Sequence, residues 1–127
     1  GLLLGWACFP AILVATLLQA LFFQFGGITV LGINTLNMAL PGVLIFYLCK
    51  PLIEKSKTHR NIGAFFAGAG AVLGATLMLA LCLYLSGKEF LVVAKIIVLA
   101  HFPVMIIEGI ICAVVVNFIL KVRPEML

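Results

Sequence analysis

Ile96-Ile-Val-Leu-Ala-His-Phe-Pro-Val-Met-Ile-Ile-Glu-Gly-Ile-Ile-Cys-Ala-Val-Val-Val-Asn-Phe-Ile-Leu120 is the stretch that decides the fold. Glu108 is its one formally charged side chain. A helix needs roughly 20 apolar residues to cross the hydrocarbon core of a bilayer. This run is long enough, and three more apolar runs precede it, at about 8–25, 34–49 and 62–85. The first and third are long enough to span. The second is short, and it contains Asn34, Asn37 and the pair Pro41-Gly42, so an irregular or kinked span is expected there. The 127 residues are 65% hydrophobic and 9% charged, against about 25% charged in a soluble domain. Twelve charged side chains cannot clothe a water-soluble globule of this size. The expected fold is therefore all-α: a polytopic membrane helix bundle of about four transmembrane helices forming a single integral-membrane domain, 1–127.

Loop charge supplies an orientation. The segment Lys50–Arg60 and the tail Lys121–Arg123 hold six basic residues, Lys50, Lys55, Lys57, Arg60, Lys121 and Arg123, whereas the alternate loops hold only Lys88 and Lys95. With four crossings the two basic segments share a side, and the positive-inside rule makes that side, with the C-terminus, cytoplasmic. The net charge of +4 is thus read as a topology signal; it forms no continuous basic stripe, and no nucleic-acid partner is expected. Residues 1–5 read as the tail of a preceding helix, turning at Gly5-Trp6, and the chain as the C-terminal part of a longer one. The four cysteines, Cys8, Cys49, Cys82 and Cys112, have no metal-binding spacing and read as free thiols. The third run carries small residues at Gly63, Ala67, Ala71 and Ala75, with a second row at Gly70 and Gly74. Such rows allow close helix packing, either within the chain or against a partner subunit.

Few polar residues lie inside the runs. Glu108, an intramembrane carboxylate, is costly there and is expected to face the bundle interior, as a functional group or as a helix-locking one. His101, with Pro103, is expected about one turn into the last run; its imidazole can ligate a metal, relay a proton or simply pack. Gln19, Asn34, Thr35 and Asn37 add amides and a hydroxyl toward the same outer end, so Asn34, Asn37, His101 and Glu108 are the candidate site-lining residues. One histidine without a neighbouring carboxylate makes a poor coordination shell. No nucleotide-binding loop and no nucleophile motif is present, so no enzymatic activity is expected of the chain.

The run Gln19-Ala-Leu-Phe-Phe-Gln-Phe-Gly-Gly-Ile-Thr-Val-Leu-Gly-Ile-Asn-Thr-Leu-Asn-Met38, followed by Pro41-Gly42, resembles a stretch of the cobalt and nickel membrane subunits of energy-coupling-factor (ECF) transporters, the CbiM/NikM family. The stretch His101-Phe-Pro-Val-Met-Ile-Ile-Glu-Gly109 and the ending Val122-Arg-Pro-Glu-Met-Leu127 are similar to that family's closing helix and tail. Ile33 departs from the family's usual alanine, and Gln24-Phe25 from a charged or histidine residue. The resemblance implies a prokaryotic plasma-membrane subunit that captures Co2+ or Ni2+ as substrate and has no permanent cofactor. It also implies partners: a transmembrane coupling subunit and cytoplasmic ATPase subunits. In the family the metal is held chiefly by an N-terminal Met-His segment and a further histidine loop, so no metal ligand is assigned within this stretch and the first ones are expected upstream of Gly1. Two other readings stay open, a related subunit for an organic micronutrient and a non-transporting membrane scaffold.

Overall fold

The computed structural model describes residues 3–24 and 26–126. Four α-helices follow one another: α1 (Cys8–Phe23), α2 (Leu31–Ile53), α3 (Lys57–Ser86) and α4 (Leu91–Val122). Single 3-10 turns at Gly5–Ala7, Ile28–Val30, Lys88–Phe90 and Pro124–Met126 lead into or out of them. Counted with their leading turns, all four are long and apolar enough to cross a membrane. The expected all-α, four-span architecture is what the structure shows.

The helices outrun the apolar runs at most ends. α2 begins at Leu31 rather than Asn34 and continues to Ile53, giving 23 residues without a break. The short, irregular second span is therefore replaced by a full one. Pro41 lies inside it, and its ring packs on a glycine: a Cβ on Gly74 of α3 would lie 2.6 Å from the Pro41 Cβ. α3 starts at Lys57 and α4 at Leu91, in each case five residues before the first apolar residue of the expected run. Only 54–56 of the expected basic loop Lys50–Arg60 lies outside a helix. At 57–61, and at Lys50 and Lys121, backbone hydrogen bonding propagates a helix past the point where side chains turn polar, whereas 31–33 and 91–94 carry no charged or amide side chain and lengthen the apolar runs themselves. α1 stops at Phe23, with Gln24 in the left-handed region at φ 55°. The expected end of that run, Phe25, lies outside the described residues, as do Gly1 and Leu2 of the expected preceding tail and the terminal Leu127.

α1 packs on α2, α2 on α3 and α3 on α4, in chain order. α2 and α3 are thus the two inner helices, and glycines serve both seams of α3. Toward α2, Gly63 meets Leu52, Gly70 meets Ile45 and Gly74 meets Pro41. Toward α4, Gly68 faces the backbone carbonyl of Glu108, 2.5 Å from where a Cβ would stand. On α4, Gly109 receives the Phe65 ring. Within a membrane such close approach supplies the van der Waals contact that hydrophobic burial cannot. Both small-residue rows expected on α3 therefore contribute to packing within the chain, and Gly68, absent from those rows, makes the tightest approach. At one end of the layer Ile53, Ala64 and Val116 close over one another with Cys49, Cys112 and Leu120 around them. The four cysteines are free thiols.

Candidate functional site

At the other end the layer is open. α2 and α4 flank a stripe of α3 there, and a cavity of about 350 Å3 lies between the three helices. Asn34, Asn37 and Met38 of α2, Val72, Ala75, Thr76 and Leu79 of α3, and His101 and Val104 of α4 line it. The spacings 34, 37 and 38, and 101 and 104, are those of residues one turn apart on one helix face. The structure thus brings Asn34 and Asn37 together with His101, more than sixty residues further along the sequence. His101 stands ten residues into α4, about 15 Å along the axis at 1.5 Å per residue, because the helix begins five residues before the apolar run from which its depth of about one turn is counted.

The polar groups of the cavity differ in how firmly they are held. The Nδ1 of His101 lies 2.8 Å from the carbonyl oxygen of Ile97. A carbonyl can only accept, so Nδ1 carries a proton, and in the neutral ring the lone pair belongs to Nε2. Second-partner fixation of this kind sets which nitrogen can meet a metal or a hydrogen-bond donor. Asn37 is only 6% exposed, and its amide meets the Cys82 thiol at 3.9 Å. Sulfur is a weak partner, so both ends of this buried amide retain hydrogen-bonding capacity toward the cavity. Asn34 is placed by the loop before α2: Gly26 has φ +77°, and a Cβ there would stand 2.6 Å from the Asn34 Nδ2. That contact explains the spacing of the Gly-Gly pair and the asparagine. A smaller cavity of about 180 Å3, lined by Thr16, Gln19, Gly26, Gly27 and Leu31, shares Asn34 and Met38 with the larger one.

Two expected members belong elsewhere. Thr35 is turned into the α1–α2 seam, where its Oγ1 lies 3.2 Å from that of Thr16 and 2.8 Å from the Leu31 carbonyl. Glu108 does not line the cavity and does not face the interior; its side chain is exposed. The reason is angular. Ala94, Gly109 and Val116 are the buried residues of α4, facing α3, and a residue adjacent to Gly109 is turned about 100° from it in a helix of 3.6 residues per turn. Thr76 is a cavity residue that sequence reasoning missed, and Met38 stood only as the end of the family-like motif, without being named as a candidate. Met38 had a usable signal, lying one turn beyond Asn34 on the same face; Thr76, whose hydroxyl donates to the Val72 carbonyl at 2.8 Å, had none beyond being a polar residue in an apolar run.

Chemically, the cavity offers an imidazole nitrogen, two carboxamides, a hydroxyl and a thioether. Imidazole and thioether are donors suited to late first-row transition metals. No group of three or more His, Cys, Asp or Glu side chains able to hold a metal ion occurs among the described residues. The cavity can line and orient a metal site but does not supply a full coordination shell.

Comparison with known proteins decides the family. The model of the cobalt uptake substrate-specific transmembrane region, CbiM, matches residues 1–126. The chain belongs to the CbiM family. A Haemophilus influenzae protein named for metal transport is 39% identical over 135 residues, covering 100% of this chain and 63% of its own length. The cobalt transport protein CbiM of Kyrpidia tusciae is 32% identical over 122 residues, covering 90% of this chain and 49% of its own. A fused nickel transport protein, NikMN, of Rhodobacter capsulatus is 58% identical over 46 residues, 35% of this chain and 13% of its own. The chain thus spans about half to 63% of the length of the first two. No solved structure matches it significantly. As a member of the CbiM family with four candidate spans, the chain is a membrane protein.

Proposed function

We propose that this CbiM-family chain forms part of the substrate-binding membrane subunit of an ATP-driven ECF importer for Co2+ or Ni2+, with the transported ion as its only metal. The carrying observation is the cavity in which Asn34, Asn37, Met38 and His101 converge beneath the Gly26-Gly27 loop. The His101 Nε2 lone pair and the two carboxamides orient the metal-bearing part of the site, either through its coordinated water or through neighbouring polypeptide. The remaining donors come from sequence that the longer relatives carry outside the matched region. Neither the chain's motifs nor its cavity supplies ATP hydrolysis, so cytoplasmic ATPases and a transmembrane coupling subunit are the proposed partners. Six of the eight basic residues lie at the cavity-distal end, so that end and the C-terminus are cytoplasmic in this reading and the cavity opens outward.

The cavity is of the size that takes a small molecule, about 300 Å3 and upward. Its lining nevertheless contains no Trp, Tyr or Phe among the described residues, which disfavours an organic micronutrient that would stack on aromatic rings. The test is ATP-dependent uptake of radioactive cobalt and nickel by the full-length transporter. His101→Ala is expected to reduce uptake by about 10 to 100-fold, the usual cost of losing a group that orients a metal site, with normal membrane insertion. Wild-type uptake of both metals in that variant would defeat the proposal.

A further inference from the structure

The α3–α4 seam carries a second groove at the opposite end from the cargo cavity, and the transport reading gives it no role. It encloses about 580 Å3 and is walled by Ile62, Phe65 and Phe66 of α3 and by Ile110 and Val114 of α4. The walls are apolar except where Asn117 donates through Nδ2 to the Asn61 Oδ1, bridging the two helices. One further turn outward on the same faces stand Lys57, four residues before Asn61, and Lys121, four residues after Asn117. Both lysines are exposed. Apolar wall, amide pair and two ammonium groups therefore follow one another along the groove.

The charge at this end is only partly neutralised from within, since Glu54 and Glu125 stand there against six basic residues. The Lys50–Glu54 pair at 4.0 Å is the one salt bridge among the described residues. No acidic residue lies in the first turn of α3, and the Ser56 hydroxyl is bonded to the His59 Nδ1 at 2.8 Å instead of capping the helix. A lysine at a helix N-terminus adds to the positive end of the helix dipole, an arrangement favourable only with an anion close by. The order of groups and the sign of the charge match one molecule of the membrane itself: an acyl chain needs the apolar wall, and a headgroup phosphate needs cations at the interface.

We propose that this groove binds one anionic phospholipid of the leaflet at the basic end. Its acyl chain lies along Ile62, Phe66, Ile110 and Val114, its ester region meets the Asn61–Asn117 pair, and its phosphate is held at the level of Lys57 and Lys121. A neutral-headgroup lipid of the same chain length fills the wall but gains less from the lysines, so the groove selects by charge.

The test uses the full-length protein purified in detergent, with native mass spectrometry of retained phosphatidylglycerol against phosphatidylcholine of identical acyl chains. Wild type is expected to retain phosphatidylglycerol on the order of tenfold better, since each lysine near an anionic headgroup contributes several-fold. Lys57→Gln with Lys121→Gln should abolish the preference, and Lys57→Arg with Lys121→Arg should keep it, which separates loss of charge from loss of fold. A photo-cross-linker at Val114, activated in intact membranes, should give a lipid adduct. Equal retention of the two lipids, an undiminished preference in the double Gln variant, or a cross-link from Val114 to a protein helix would each overturn the proposal.

Discussion

At residue scale the site depends on fits that leave no room for a methyl group. Gly26 combines a left-handed φ of +77° with an approach of 2.6 Å between a hypothetical Cβ and the Asn34 amide nitrogen. Gly26→Ala therefore has to displace the Asn34 amide from its position between the two cavities or move the loop. Left-handed strain in a non-glycine residue costs about 1 kcal/mol, small beside the effect on the site. The expected outcome is a protein that inserts and melts nearly as the wild type does but binds cobalt or nickel at least about tenfold more weakly; calorimetric titration of the full-length variant checks it, and unchanged affinity would show that Asn34 needs no fixed position. The glycine pair and the Asn-x-x-Asn-Met pattern were legible as a motif in the sequence. The reason for the pattern was not, because the contact of Gly26 with Asn34 is made by a turn whose φ angles hydropathy does not report. Thr35 shows the converse error: its polarity suggested the site, yet its hydroxyl is satisfied by its own helix and by Thr16 in the α1–α2 seam.

At the scale of the element, α4 shows where sequence reading stops. Its apolar length made the helix evident, but periodicity was of little use, because a helix that is apolar on nearly every face gives no stripe to orient it. The buried face is set instead by small residues, Ala94 and Gly109, packing on α3, and Glu108 is carried to the exposed side as their neighbour. An exposed carboxylate near the middle of a 32-residue membrane helix demands a polar or cationic neighbour in the assembled protein, since its charge is costly in hydrocarbon. It stands away from the cavity between α2, α3 and α4, so under the proposed function Glu108→Gln should leave metal affinity at the wild-type value while reducing coupled uptake. Parallel binding and ATP-dependent transport assays on the same preparation separate the two, and lost binding in the Gln variant would contradict the cavity assignment.

For the whole molecule, the four spans and their order followed from the apolar runs, and the helix ends did not, since α2, α3 and α4 all extend beyond them, α3 into the polar stretch 57–61. The placement of six basic residues at one end yields a direct topological expectation. In a full-length background without native cysteines, a cysteine replacing Ser56 should react with an impermeant thiol reagent only from the cytoplasmic side, and one replacing Lys88 only from outside. Reaction of both from the same side would invert or break the four-span arrangement.

The central claim, that cargo is held at the cavity between α2, α3 and α4, is tested most directly by the ion's own magnetism. Met38 lines that cavity, whereas Met78 and Met105 do not. With methyl-13C methionine in the full-length protein, and Met38 assigned by its Leu variant, paramagnetic Co2+ should shift or broaden the Met38 methyl resonance more than those of Met78 and Met105. A Met38 signal that stays in place at full cobalt occupancy would contradict the claim.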